Sequence, residues 1–229
     1  VLERRLAVDE RVLQRYAWLD EVPDSGVAKL LDRRLFGHEI DLPWMDGGGA
    51  FFSLTERVHD YQRRPHLGMR KGGEFCSGFY GGYEGAVLDL GEFAFRQLAL
   101  NPRSMPAGLT EEQTAAWDLL FRDEAREGDD RVRYGAAMRA AGFDDDADME
   151  PGHTYLLRAY SPGEFDLGAA LEVAEVGDDE CTFAWRILEQ RPVADERPVW
   201  EPPVTSDDVP PPPEDLVALS EEALLAELE

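Results

Sequence analysis

Residues 192 to 213 contain eight prolines, ending in the run Pro210 to Pro213. Proline lacks a backbone N–H and its ring fixes φ, so such a stretch neither continues a helix nor sits inside a sheet. It extends instead as a semi-rigid polyproline spacer. That bounds the rest of the chain: one folded domain over 1–195, with substructure at 1–109 and 110–195 as an option, a linker over 196–213, and a tail over 214–229. In the tail, Val217, Leu224, Leu225 and Leu228 share one side of a segment that also carries Glu221, Glu222, Glu227 and Glu229. This is an amphipathic helix too short to be stable alone in water. It reads as a docking element that folds back on the domain, binds a partner or opens a further domain.

The domain itself has the material for a core, since 43% of residues are hydrophobic. Composition of this kind separates it from disordered acidic chains, which lack enough apolar surface to offset chain entropy. The formal net charge is −25, from 48 acidic and 23 basic residues. A surface so negative repels nucleic acid and anionic membranes as a whole. No apolar run approaches the length of a membrane span, and no membrane partner is expected. Two distant cysteines, Cys76 and Cys181, form neither a disulfide framework nor a CxxC metal signature, which fits a reducing, cytoplasmic setting.

Element signals favour an α+β fold. Leu6, Val12, Leu13, Tyr16 and Leu19 recur at helical spacing up to Pro23, and Val27, Leu30, Leu31 and Leu35 repeat that spacing before Gly37, predicting an N-terminal helical hairpin. Strands are expected over 50–56, 74–80 and 83–90, the last two forming an antiparallel β-hairpin through Gly81 and Gly82. Thr110 and Gln113 form a capping box ahead of a helix with Trp117, Leu120 and Phe121 on one face. A partner helix over 131–141 carries Tyr134, Met138 and Ala141 and stops at Gly142. After this helix pair, 153–160, 168–176 and 181–189 predict a β-meander. In its last strand Thr182, Ala184 and Arg186 alternate with Phe183, Trp185 and Ile187, the pattern of a sheet with one dry and one wet face.

One window departs from the overall charge. Arg57, Arg63, Arg64, Arg70 and Lys71 stand against the single acid Asp60, with His59, Tyr61 and His66 interleaved and Gly68, Gly72 and Gly73 close by. Guanidinium groups bind phosphate oxygens bidentately, and glycine backbones can present amides to an anion. The same arginines equally suit pairing with the chain's own carboxylates. No P-loop and no GxGxxG opening a helix accompanies them. The aromatic group Phe75, Phe79, Tyr80 and Tyr83 reads first as core packing and second as a stacking platform.

Three further patterns were weighed. Asp144, Asp146, Asp148 and Glu150 alternate like the first ligands of a calcium loop, but Met149 and Tyr155 occupy the places that need glycine and glutamate. Cys76 with His59 or His66 and Asp60 could form a cysteine-hydrolase centre, although a buried thiol in a strand is the ordinary alternative. His38, His59, His66 and His153 show no metal-ligand spacing, and no metal or cofactor is implied.

These observations yield three functional expectations. The first is a non-enzymatic interaction or adaptor subunit of a multiprotein assembly, using the acidic surface and the tethered helix to bind a protein partner. The second is a binding module or small enzyme acting on a phosphate-bearing ligand, nucleotide or RNA through segment 57–71. The third is a cysteine hydrolase centred on Cys76.

Overall fold

The computed structural model describes residues 2–35, 49–63, 65–70, 72–77, 84–121, 136–161 and 165–191, all within a compact unit spanning Val1–Asp195. The proline-rich linker and the segment expected as a tail helix, with Val217, Leu224, Leu225 and Leu228, lie outside the described residues. So do Arg64, Lys71, Phe79, Tyr80 and Tyr83.

Helices and antiparallel sheets are mixed, as an α+β chain requires. Helices α1 (Leu2–Leu6) and α2 (Glu10–Arg15) precede a 3₁₀ turn over Ala17–Glu21. Asp9 caps α2 by accepting from the Arg11 amide at 2.8 Å, satisfying a donor that the first helical turn leaves open. Strand β1 (Ser25–Leu31) follows, then β2 (Phe51–Phe52), β3 (Leu67–Met69), β4 (Glu74–Cys76) and β5 (Glu84–Asp89). Two helices, α3 (Phe95–Leu100) and α4 (Glu111–Phe121), and a helical turn over 136–140 lead into β6 (Asp146–Asp148), β7 (Thr154–Ser161), β8 (Phe165–Val176) and β9 (Glu180–Gln190).

Two sheets result. The larger has the order β1-β9-β8-β7-β5 and the smaller β2-β3-β4-β6, every pairing antiparallel. Between them lies one core, with Leu30, Phe52, Leu67, Phe75, Tyr155, Leu171, Phe183 and Trp185 buried together. Its aromatic rings meet edge to face: Phe52 on Phe183 at 5.9 Å, Phe75 on Phe183 at 5.9 Å and Phe75 on Tyr155 at 5.3 Å, the arrangement that the ring quadrupole favours. Phe75 is therefore core, the first of its two readings. A second core covers the other face of the large sheet, where Val12, Tyr16, Phe95, Leu98, Trp117, Leu120 and Met138 pack on Leu156, Ala170, Ala184 and Leu188.

The meander β7-β8-β9 is as expected, and so is α4. Its capping box closes reciprocally, the Gln113 amide donating to Thr110 Oγ1 at 3.1 Å and the Thr110 amide to Gln113 Oε1 at 3.0 Å. Gly142 adopts φ +88° just beyond the helical turn 136–140, the left-handed geometry that glycine takes at a helix end.

Three expectations differ. Residues 25–31 form an edge strand on β9, where a second N-terminal helix was predicted; Leu30 and Leu31 are both fully buried, so the apolar spacing reflects a strand covered on both sides. Among the described residues β4 bonds to β3 and β6 while β5 bonds to β7 and not to β4; residues 78–83, with the turn expected at Gly81 and Gly82, lie outside the described residues. The face expected to be wet is largely dry: Thr182 is buried, and Ala184 packs under the helices. Small residues make that cover possible. A Cβ on Gly168 would lie 2.8 Å from Leu120 Cγ, so α4 sits against β8 where no side chain intervenes.

Candidate functional site

The loops around the small sheet carry the basic segment, and each described cation there meets a partner from its own chain. Arg70, just after β3, pairs with Asp146 on β6. Arg63 reaches Glu56 at 3.1 Å and Asp60 at 3.6 Å. Arg57, held at φ +57°, lays its guanidinium over the Trp185 ring at 5.5 Å, a cation–π contact that also shields the ring edge. The turn at Gly72 and Gly73, with φ of +108° and +90°, directs the Gly72 amide to the buried Asp32 carboxylate at 3.1 Å. Asp32 also accepts from the Arg34 amide at 2.6 Å and Arg34 Nε at 2.9 Å. The segment thus has the parts of an anion site, and carboxylates of the chain itself occupy the described ones.

Cys76, His59 and His66 of the proposed cysteine centre are in the same region, and burial disfavours the charged form of each. Burial pushes the Cys76 thiol up to about 12, against an opposing pull from Arg70, so the nucleophilic thiolate is scarce at neutral pH. His66 is 1% exposed and accepts a 3.0 Å bond from the Leu54 amide at Nδ1. Burial pushes its pKa down to about 3, holding the ring neutral. His59 bonds through Nε2 to the Lys29 carbonyl at 2.6 Å and stacks beside Phe52 at 4.9 Å; burial lowers its pKa too.

Part of the acidic run is strand and not loop. Asp146 and Asp148 lie on strand β6 opposite Cys76 and Glu74, and no cluster of ligating side chains suited to a metal ion occurs among the described residues. Placing acids on an edge strand instead discourages its pairing with other chains. Among the described residues no helix is long and apolar enough to cross a membrane.

Two features carried no sequence signal. The first is a charged cluster inside the large sheet's helical face. Arg158 on β7 and Arg191 just after β9 share Asp166 on β8, and Arg191 also donates to the Leu120 carbonyl at 3.1 Å. All three are more than nine-tenths buried, and the α4 C-terminus welcomes the positive charge.

The second is a surface cleft of about 370 Å³ lined by Arg103, Met105, Trp117, Asp118, Phe121 and Glu189. Trp117 and Phe121, one helical turn apart on α4, place their rings 4.9 Å from each other at its base. Met105 is 47% exposed, and Arg103 crosses the rim to Glu189 at 2.8 Å. Sequence reading placed Trp117 and Phe121 on one helix face. The loop and strand residues that complete the cleft are far away in sequence, which is why no spacing announces it.

The chain matches no protein-family model, no curated protein and no solved structure. Function therefore rests on the geometry.

Proposed function

We infer that this chain is a non-enzymatic interaction or adaptor subunit of a multiprotein assembly, presenting an acidic surface to a basic protein partner. The observation that carries this reading is the internal commitment of most of its described cations. Arg15 pairs with Glu172, Lys29 with Glu180, Arg34 with Asp32, Arg63 with Glu56, Arg70 with Asp146 and Arg103 with Glu189. With 48 acids against 23 bases, one-to-one pairing leaves a large excess of carboxylates to face solvent. Such a field steers positively charged partners and raises their association rate, in a manner that salt suppresses. The neutral Cys76 thiol and the backbone-bonded His59 and His66 support binding over chemistry in segment 57–71.

The tail enters this proposal on its sequence. Residues 214–229, with Val217, Leu224, Leu225 and Leu228 on one side, have the sequence pattern of an amphipathic helix that gains stability by docking, and the prolines before them would set its reach. The setting is cytoplasmic, where the buried free thiols Cys76 and Cys181 stay reduced.

The test is affinity capture with the full chain and with a chain ending at residue 209, at low and physiological ionic strength. Partners lost on truncation and released by salt are expected. An unchanged partner set after truncation refutes the role of the tail, and capture indifferent to salt refutes that of the acidic surface.

A further inference from the structure

The cleft over α4 has a feature that the other ion pairs do not share in full. Glu189 is only 14% exposed, while the Arg103 side chain that pairs with it is 77% exposed. The carboxylate is thus fixed in the wall of the cleft, and its counter-ion is a long, solvated side chain reaching across the rim. Exposed pairs of this kind are worth little, because Coulomb attraction is screened and the arginine loses rotamer freedom. Beside it stand Asp118 and an apolar surface formed by Met105 and Phe121 over Trp117. Aromatic residues and methionine are enriched at the centres of protein interfaces, with charge at the rim, and methionine adapts its shape to what it meets.

We propose that this cleft is a docking site for a short basic and apolar segment of a protein partner. An arginine or lysine of the segment takes the place of Arg103 on Glu189, and a neighbouring apolar side chain covers Met105 and Phe121. Charge complementarity selects this occupant. Among the described residues that line the cleft, the charged groups apart from Arg103 itself are the carboxylates of Asp118 and Glu189, and the chain as a whole is at −25. The volume, about 370 Å³, lies at the small end of ligand pockets and takes side chains of a peptide. Arg103 is then an internal placeholder, occupying the anionic position until a partner cation displaces it. The proposal rests on the reading of the chain as an acidic interaction subunit and names where one basic segment binds.

The placeholder role makes a signed prediction that a purely structural ion pair does not. Binding to the full chain is measured by calorimetry, with a short synthetic peptide alternating arginine and leucine and with a control in which serine replaces leucine. Arg103→Ala should tighten binding of the leucine peptide by roughly twofold to fivefold, the range of an exposed ion pair. Glu189→Gln should weaken it at least as much, Met105→Gln should weaken it without changing its salt dependence, and the serine peptide should bind less tightly throughout. All three positions are at the surface, and unchanged melting temperatures confirm that the fold is intact. The proposal is overturned if Arg103→Ala weakens binding or leaves it alone, or if the two peptides bind equally. It is also overturned if the chain self-associates through this face in sedimentation and Met105→Gln abolishes that association. Binding that ignores all three substitutions removes the cleft but leaves the acidic-surface reading standing; no binding of either peptide even at low salt removes both.

Discussion

His66 offers a direct measurement of how dry the core between the two sheets is. Its ring is 1% exposed, sits edge-on to Phe165 at 4.6 Å, and accepts the Leu54 amide at Nδ1. Burial disfavours the charged form and pushes the folded-state pKa down to about 3, against about 6.5 in the unfolded chain. Between these values the unfolded state binds a proton that the native state refuses, so stability is fully present above pH 6.5 and falls as pH drops toward 3. From pH 7 to pH 5 the loss is about 1.5 pH units at 1.36 kcal/mol each, or roughly 2 kcal/mol. For a domain of this size that is roughly 4–8 °C in melting temperature. Carboxylate protonation changes the repulsion within this acidic chain over the same range, so the measurement must be a difference. Denaturant unfolding of the natural chain and of His66→Asn, whose side-chain carbonyl can accept the Leu54 amide in place of Nδ1, should be compared at both pH values. The stability advantage of the natural chain should shrink by about 2 kcal/mol on acidification. An advantage independent of pH, or an imidazole seen by NMR to protonate near pH 6 in the folded protein, would refute the reasoning.

Other perturbations probe the helical face and the basic segment. Gly168→Ala places a Cβ 2.8 Å from Leu120 Cγ and should cost about 1–3 kcal/mol by overpacking; unchanged denaturant stability would mean that α4 does not pack as described. Asp166→Asn removes the carboxylate shared by the buried Arg158 and Arg191, with an expected loss of about 3–5 kcal/mol, and a loss below 1 kcal/mol would show that water reaches the cluster. Arg70→Gln breaks the half-exposed pair with Asp146 and should lower stability by at most about 1 kcal/mol while leaving the thermal response to inorganic phosphate unchanged. A phosphate stabilisation that disappears in this variant would restore the anion-site reading of segment 57–71. Cys76 should resist a mild thiol reagent near neutral pH until the chain unfolds, and rapid labelling of the native protein would reopen the case for a nucleophile.

The parts of the fold that were legible in the sequence are those whose signals are local. The capping box at Thr110 and Gln113 closes within one turn, and the turns of the β7-β8-β9 meander separate strands that pair with their sequence neighbours. Strand β1 was not legible, because adjacent Leu30 and Leu31 are both buried and a strand covered on both faces has lost the alternation that marks strands. The same physics hid the dry face of β9. Thr182, Ala184 and Arg186 look like a solvated row, but helices from distant sequence are laid over Ala184, which the small side chains Ala170, Ala174 and Ala184 permit. The expected hairpin differs for a related reason: among the described residues β4 and β5 each find a non-local partner, in β6 and β7.

Site chemistry shows the same division between residue type and residue partner. The arginines of segment 57–71 and the glycines beside it suggested an anion site, and among the anions that the described ones meet are Asp146, 76 residues from Arg70, and Asp32, 40 residues from Gly72. A sequence window cannot distinguish a foreign carboxylate or phosphate from one the fold will deliver. Exposure separates the two cases. Asp32 has a side chain with no exposed surface and three donors upon it, so displacing its partners would strand a buried charge. Glu189 is held among the described residues by the mostly exposed Arg103, and exchanging that cation for another leaves no charge uncompensated. Most of the described cations pair with the chain's own carboxylates, and on the proposed reading a pair whose cation is mostly exposed is where a basic partner would enter.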